Sequence, residues 1–316
     1  MTKKNIVIPD SAKRFPDGAN YRLEVSGIET PEILLAVIVE AKKLGIPIHR
    51  AIATVNGSKH WNNHDLKDLA KIAAKTRVEV IICPGHLARG LIENPNNLFS
   101  MMNYKNDAEI DVYWTEVLRC LRLGFRGFLV WRKSMLDCLV QERTVGHIPR
   151  ETIFKVSTFD NNCNAIDFAL CKKLGADTIN SANGLKIDEL AKIRQAVDTV
   201  MDVHITFWQM ALQKHLIGND LYATILAANP YSRVADAPEI ARVCSPVYFK
   251  FEADNPRRRG ISVYDLSKPD WTEDDLVEHK REDVRTTAKV VEEIKQKYPH
   301  IKLSDWGPVD LRVPIV

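Results

Sequence analysis

The sequence predicts an α/β protein built as one (β/α)8 TIM barrel. Short β-rich runs alternate with helical stretches from Tyr21 onward, the pattern of a parallel sheet covered by helices. Three helical stretches end on the same Leu-Gly pair just before a strand: Leu44-Gly45, Leu123-Gly124 and Leu174-Gly175. Glycine there supplies the left-handed cap that turns the chain back toward the sheet. The length, 316 residues with 45% hydrophobic content, suits a barrel, which typically uses about 250 residues.

The first strand is expected at Arg22 to Ser26, followed by Thr30-Pro31-Glu32, where Thr30 caps a helix and Pro31 fits its first turn. That helix, Ile33 to Leu44, stops at Gly45. The next strands are Ile48 to Thr54, Val78 to Cys83, Gly127 to Trp131, Ile153 to Ser157, Thr178 to Ser181, Met201 to Thr206 and Val247 to Glu252, making eight. Between them run helices at Asp65 to Lys75, Asp111 to Leu123, Met135 to Glu142, Ala165 to Leu174, Ile187 to Ala196 and Pro238 to Val243. The last helix, Glu273 to Lys297, opens with Thr272 and Asp275 at capping-box spacing. Residues 1–316 form one domain, with 1–20 as an amino-terminal extension and 298–316 as a carboxy-terminal tail. An open, doubly wound sheet is the competing topology, but no Gly-x-Gly-x-x-Gly follows the first strand.

Long loops are expected after strands seven and eight, Phe207 to Pro238 and Ala253 to Trp271. Loops of that length in a compact domain are usually functional, and both belong to the face where barrels place their sites.

Strand parity carries the chemistry. Apolar sets such as Leu23/Val25, Phe154/Val156, Val203/Ile205 and Phe249/Phe251 face the helices. The interior then receives Arg22/Glu24/Ser26, Lys155/Ser157, Asp202/His204/Thr206 and Tyr248/Lys250/Glu252, joined by Arg50, Thr54 and Asn180. Barrel interiors are normally apolar, so these groups must be paired, hydrated or used. Glu24, Lys155, His204, Lys250 and Glu252 are the candidate catalytic residues, expected toward the carboxyl ends of their strands. Arg22 and Asp202 sit one layer deeper, as structural ion-pair members. Glu24, His204 and Glu252 are candidate proton-transfer groups or ligands of a divalent metal, although no tight His-containing metal motif is present. Lys155 or Lys250 is the alternative, as an imine-forming lysine or as the counter-charge of a carboxylate. Arg50, His86, Trp131, Asn180 and Arg257 are candidate substrate-binding residues. His86 also reads as a solvated loop histidine, and Asn180, Ser181 and Asn183 also read as caps for the helix at Ile187. Arg257-Arg258-Arg259-Gly260 suggests an anionic substrate.

Composition narrows the classes. Charged residues make up 27% and the formal net charge is +3, so no strong field marks a nucleic-acid partner. No apolar run approaches the roughly 20 residues that span a bilayer, and the amino-terminal stretch does not read as an export signal. The six cysteines lack any Cys-x-x-Cys and read as reduced, mostly buried thiols of a cytoplasmic protein. Self-association stays open.

Arg14-Phe15-Pro16-Asp17-Gly18-Ala19-Asn20-Tyr21-Arg22-Leu23-Glu24-Val25 and the run on through Pro47-Ile48-His49-Arg50, with Gly124-Phe125-Arg126-Gly127-Phe128-Leu129-Val130-Trp131 and Pro246-Val247-Tyr248-Phe249-Lys250, resemble bacterial barrel proteins of the U32 peptidase type. The resemblance implies a TIM barrel but brings no assigned catalytic residue. Wider members of the group resemble RNA-modifying or hydroxylating proteins with an iron-sulphur cluster on clustered cysteines. Here Cys163 and Cys171 flank a helical segment with no further cysteines at cluster spacing, so no cluster is expected.

The leading expectation is an enzyme for a small anionic or carbonyl-containing metabolite, working by acid/base chemistry of lyase, isomerase or hydrolase type. The alternatives are a U32-like peptidase or modification enzyme without a cluster, and a barrel that only binds a ligand.

Overall fold

The computed structural model describes residues 8–55, 57–84, 107–182, 184–205, 234–251 and 272–316. Eight parallel strands close into a barrel in the order of the sequence, each hydrogen-bonded to the next and the eighth to the first. They are β1 (Tyr21–Ile28), β2 (Arg50–Ala53), β3 (Glu79–Ile82), β4 (Gly127–Val130), β5 (Ile153–Val156), β6 (Thr178–Asn180), β7 (Val200–His204) and β8 (Val247–Phe251). The described helices are α1 (Pro31–Lys43), α2 (Asn63–Thr76), α3 (Asp107–Arg122), α4 (Lys133–Thr144), α5 (Ala165–Lys173), α6 (Ile187–Ala196), α7 (Ala237–Cys244) and α8 (Glu273–Lys297). The closed sheet excludes the open, doubly wound alternative. Of the expected long loops after β7 and β8, residues 207–233 and 253–271 lie outside the described residues, as do residues 85–106 before α3.

Local chemistry sets the helix boundaries. Thr30 accepts the amide of Ile33 at 3.3 Å, and Pro31 occupies the first turn of α1. Asn62 and Asn164 cap α2 and α5 in the same way. Thr272 and Asp275 form the reciprocal box at the start of α8, with bonds of 3.0 and 3.2 Å. At the start of α6 the cap differs from expectation. Lys186 takes that position and its amide donates to Glu189 at 2.7 Å, so neither Asn180 nor Ser181 caps the helix. The repeated glycines behave as their position predicts, with φ of 67, 96 and 93 degrees at Gly45, Gly124 and Gly175.

Strand parity divides the protein into two cores. Leu23, Val25, Phe154, Val203, Phe249 and their equivalents face outward into the main apolar core shared with the helices. The inward side chains follow the stagger of a tilted barrel, in which alternate strands contribute to each layer. Glu24, Ile81, Lys155 and Asp202 come from the odd strands and form the middle layer. Beneath it the even strands contribute Arg50, Gly127, Thr178 and Tyr248, and above it Ile52, Leu129, Asn180 and Lys250. Ser26, Cys83, Ser157 and His204 form the next layer toward the carboxyl ends. Gly27, at φ 73 degrees, marks an irregularity in the β1–β2 register beyond Val25, after which Ile28 again joins the outer core.

Thr54 was expected to reach into the interior. Instead its hydroxyl is engaged with the backbone of Cys83, accepting the amide at 3.1 Å and donating to the carbonyl at 3.2 Å.

The amino end of the barrel is closed by the two terminal segments. Phe15 packs edge-on against Tyr248, with ring centroids 5.4 Å apart. Arg22 is gripped by Asp310 at 2.7 and 2.8 Å and by the Ser304 hydroxyl at 2.9 Å, with Asp17 also in reach. Burial opposes the charge of Arg22, yet the Asp310 bond and the Tyr248 contact raise its pKa further. His49 Nδ1 accepts the amide of Leu23 at 3.0 Å, so Nε2 carries the proton and donates toward the carbonyls of Ser304 and Asp305. Burial, with Arg22 nearby, lowers the pKa of His49 to about 4.

Two consequences can be measured. An alanine Cβ at Gly127 would lie 2.6 Å from both Ile81 Cδ1 and the Val80 carbonyl oxygen. Gly127→Ala should therefore lose about 1–3 kcal/mol in urea denaturation. His49 is neutral in the folded state and protonates readily only when unfolded. Stability it contributes is full above the unfolded pKa of 6.5 and is lost as pH falls toward 4, about 2 kcal/mol by pH 5. Urea titrations at pH 7.5, 6, 5.5 and 5 should show this slope, and His49→Asn should flatten it.

Candidate functional site

The middle layer of the barrel is an ion cluster. Lys155 Nζ donates to Glu24 Oε1 at 2.8 Å and Oε2 at 2.7 Å, and lies 2.8 Å from Asp202 Oδ1. All three residues are fully buried. From the layer beneath, Arg50 donates through Nη1 to Asp202 at 3.0 Å and approaches Glu24 at 3.5 Å, while Nε meets Glu79 at 2.5 Å. The guanidinium lies 3.7 Å from the Tyr248 ring centroid, a cation–π contact that shields its face. Thr178 donates to the second oxygen of Asp202. The amide of Arg312 donates to Glu79 Oε1 at 3.0 Å, tying the carboxy-terminal tail into the same network.

The electrostatics follow from this geometry. Burial alone would raise the Asp202 carboxyl, but Lys155 and then Arg50 outweigh it and hold the pKa below the ordinary value. Burial likewise opposes the charge on Arg50, and Glu79, Tyr248, Asp202 and Glu24 together raise its pKa well above normal. Two cations thus face three carboxylates, Glu24, Glu79 and Asp202, and the surplus negative charge lies beneath Lys250. Lys250 pairs in register with both Glu24 and His204.

Placement sharpens the sequence expectations. Glu24 and Lys155 do converge, but in the middle of the barrel and not at its mouth. Lys155 Nζ is held by both oxygens of Glu24 and by Asp202, so its attack on a carbonyl would require stripping two buried carboxylates of a cationic partner. Arg50, expected to hold substrate charge, stands under the cluster with its guanidinium engaged. Asp202 is not the partner of Arg22, which pairs with Asp310 and Asp17 at the barrel floor. Lys250 and Asn180 stand one layer higher, and His204 and Ser157 one above that, on the side of the interior formed by β5 to β8. Trp131 joins Ile52, Ile81, Cys83 and Leu129 in a separate interior cluster that makes the opposite wall apolar. Cys83 is fully buried there, and burial raises its thiol pKa. It behaves as a packing residue. Glu252, His86 and Arg257 lie outside the described residues.

Both oxygens of Glu24 are engaged by Lys155. Among the described residues no group of three His, Cys, Asp or Glu is arranged to hold an ion. The six cysteines are all free thiols. No described helix is long and apolar enough to cross a membrane. Sequence reasoning missed Glu79 and the tail residues Ser304 and Asp310. Glu79 was within reach, because Val78, Val80 and Ile82 mark the outward parity of β3 and so point Glu79 inward. The tail offered no periodic signal.

No family model matches the chain, and no curated protein matches it. Among solved structures it is similar to the YdjI aldolase from Escherichia coli K12, at 15% identity over 87% of this chain and 91% of that one, with a TM-score of 0.46. It is similar also to the U32 peptidase Mk0906, at 11% identity over 75% and 94%, TM-score 0.45. A third is thiamine phosphate pyrophosphorylase from Pyrococcus furiosus, at 11% identity over 87% and 97%, TM-score 0.43. At this level of likeness none of them bears on the reaction.

Breaking the cluster at one member should be costly. Lys155→Met leaves Glu24 and Asp202 buried with too little positive charge and should lose about 3–5 kcal/mol in urea denaturation. Lys155→Met combined with Glu24→Leu removes a cation and an anion together and should recover part of that loss.

Proposed function

We propose that this chain is an enzyme acting on a small anionic or carbonyl-containing metabolite by acid/base chemistry at the carboxyl ends of β5 to β8. The observation that carries the reading is the division of the interior above the ion cluster. Ser157, Asn180, His204 and Lys250 line one side, while Ile52, Cys83, Leu129 and Trp131 line the other. Walls of this kind suit a small molecule with a charged head and an apolar flank.

Lys250 is the group assigned to the anionic head, while Lys155 is held between two carboxylates. His204 beside it is assigned to proton transfer. Glu24, Lys155, Asp202 and Arg50 supply a fixed electrostatic floor beneath them, whose geometry does not need to reorganise during reaction. Proton transfer next to a carbonyl favours a lyase or isomerase over a hydrolase. The U32 resemblance brings no catalytic residue with it, and a peptidase or modification activity finds no support in the described residues.

A barrel that only binds the same molecule is favoured by one observation, the complete engagement of Glu24, Lys155 and Arg50 in internal pairs. The two readings separate experimentally. A library of small carboxylates and carbonyl compounds is screened by thermal shift, and each hit is followed by NMR for conversion. Lys250→Met should abolish binding of the hits. His204→Gln should bind them within about threefold yet convert them roughly 10²–10⁴ times more slowly. Binding without conversion by the wild type supports the non-catalytic barrel, and hits that survive Lys250→Met overturn the site.

A further inference from the structure

We propose that Asn180 selects ligands that carry a hydrogen-bond donor, a hydroxyl or an ammonium, within one or two carbons of the carboxylate received by Lys250. This rests on the reading of the β5 to β8 wall as the ligand site and adds the chemical class of the ligand.

Asn180 is 1% exposed, and its side-chain oxygen has no hydrogen-bond partner. A buried amide oxygen left unsatisfied is unusual, because the group has lost water without replacement. The neighbours explain why the protein does not supply a donor. In its own layer, Ile52 and Leu129 have none to give, and Lys250 does not bond it. In the layers beneath, the Lys155 ammonium is held by Glu24 and Asp202, and the Thr178 hydroxyl is committed to Asp202. The backbone carbonyl of Asn180 does have a partner, the side-chain amide of Asn162 at 3.5 Å, so the strand itself is satisfied and the vacancy is specific to the side chain.

The position of that oxygen defines what would fill it. Asn180 and Lys250 stand in the same layer on β6 and β8, with β7 between them carrying Asp202 below and His204 above. A carboxylate drawn to Lys250 extends its next carbons along this wall, toward Asn180. A hydroxyl or ammonium on those carbons can donate to the free oxygen. An analogue lacking that donor leaves the acceptor unpaired and is disfavoured by the interaction it fails to make.

The test uses matched acids as probes: lactate against propionate, and 3-hydroxybutyrate against butyrate, titrated by calorimetry and ligand-observed NMR. The wild type should bind the hydroxy acid of at least one pair about tenfold or more tightly than its partner. Asn180→Leu, which keeps the bulk but removes the acceptor, should erase the preference, as should Asn180→Ala if the leucine variant fails to fold. Equal binding within both pairs by the wild type overturns the inference, as does a preference that persists in the folded variants. If both members of a pair bind equally and Lys250→Met abolishes both, the carboxylate site stands and only the role of Asn180 fails. If none of the four acids binds the wild type, the underlying site reading fails as well.

Discussion

A lysine ammonium fully enclosed between two carboxylates is the constraint around which this barrel is organised. Removing each ion from water costs several kcal/mol, so Glu24, Lys155 and Asp202 are tolerable only together and only at hydrogen-bonding distance. Three strands must therefore meet at one height, β1, β5 and β7, which a staggered barrel of parallel strands accomplishes. The condition then spreads outward. Asp202 needs Arg50 and Thr178, Arg50 needs Glu79 and the face of Tyr248, and Glu79 needs an amide from the tail. Neighbouring layers are polar or apolar according to whether they touch this chain of requirements.

The other half of the interior shows the opposite solution. Around β2 to β4 the wall is Ile52, Ile81, Cys83, Leu129 and Trp131, and Gly127 leaves room for Ile81 to lie across the strand. Placing charge on one side and hydrocarbon on the other gives the barrel mouth a direction. A ligand entering between the walls can satisfy both only in one orientation, which is the preorganisation that acid/base chemistry requires.

The sequence made the eight strands, most of the described helix boundaries and the inward parity legible, because each of these is a local periodic signal. Thr30, Thr272 and the Leu-Gly helix ends could be read for the same reason. Which charge meets which could not be read, because it depends on the stagger between strands far apart in the chain. Glu24 and Lys155 were singled out correctly as interior groups, yet their height in the barrel is fixed by register and not by distance from the strand end. β1 runs on to Ile28, which places Glu24 mid-strand. Arg50 was expected to hold substrate charge, and three neighbouring carboxylates engage it from within the protein. His49 and the tail were silent, since a histidine that bonds only backbone leaves no pattern in composition or spacing.

The grip of Asp310 on Arg22 has a meaning for how the chain comes into being. The two residues are 288 positions apart. At ordinary translation speeds of about 5–20 residues per second, Arg22 spends about 15–60 s in the world before Asp310 exists. A nascent barrel therefore has only the longer Asp17 contact for this guanidinium through most of its synthesis. Its first strands have reason to stay hydrated and loosely associated, deferring tight closure until the distant partner arrives.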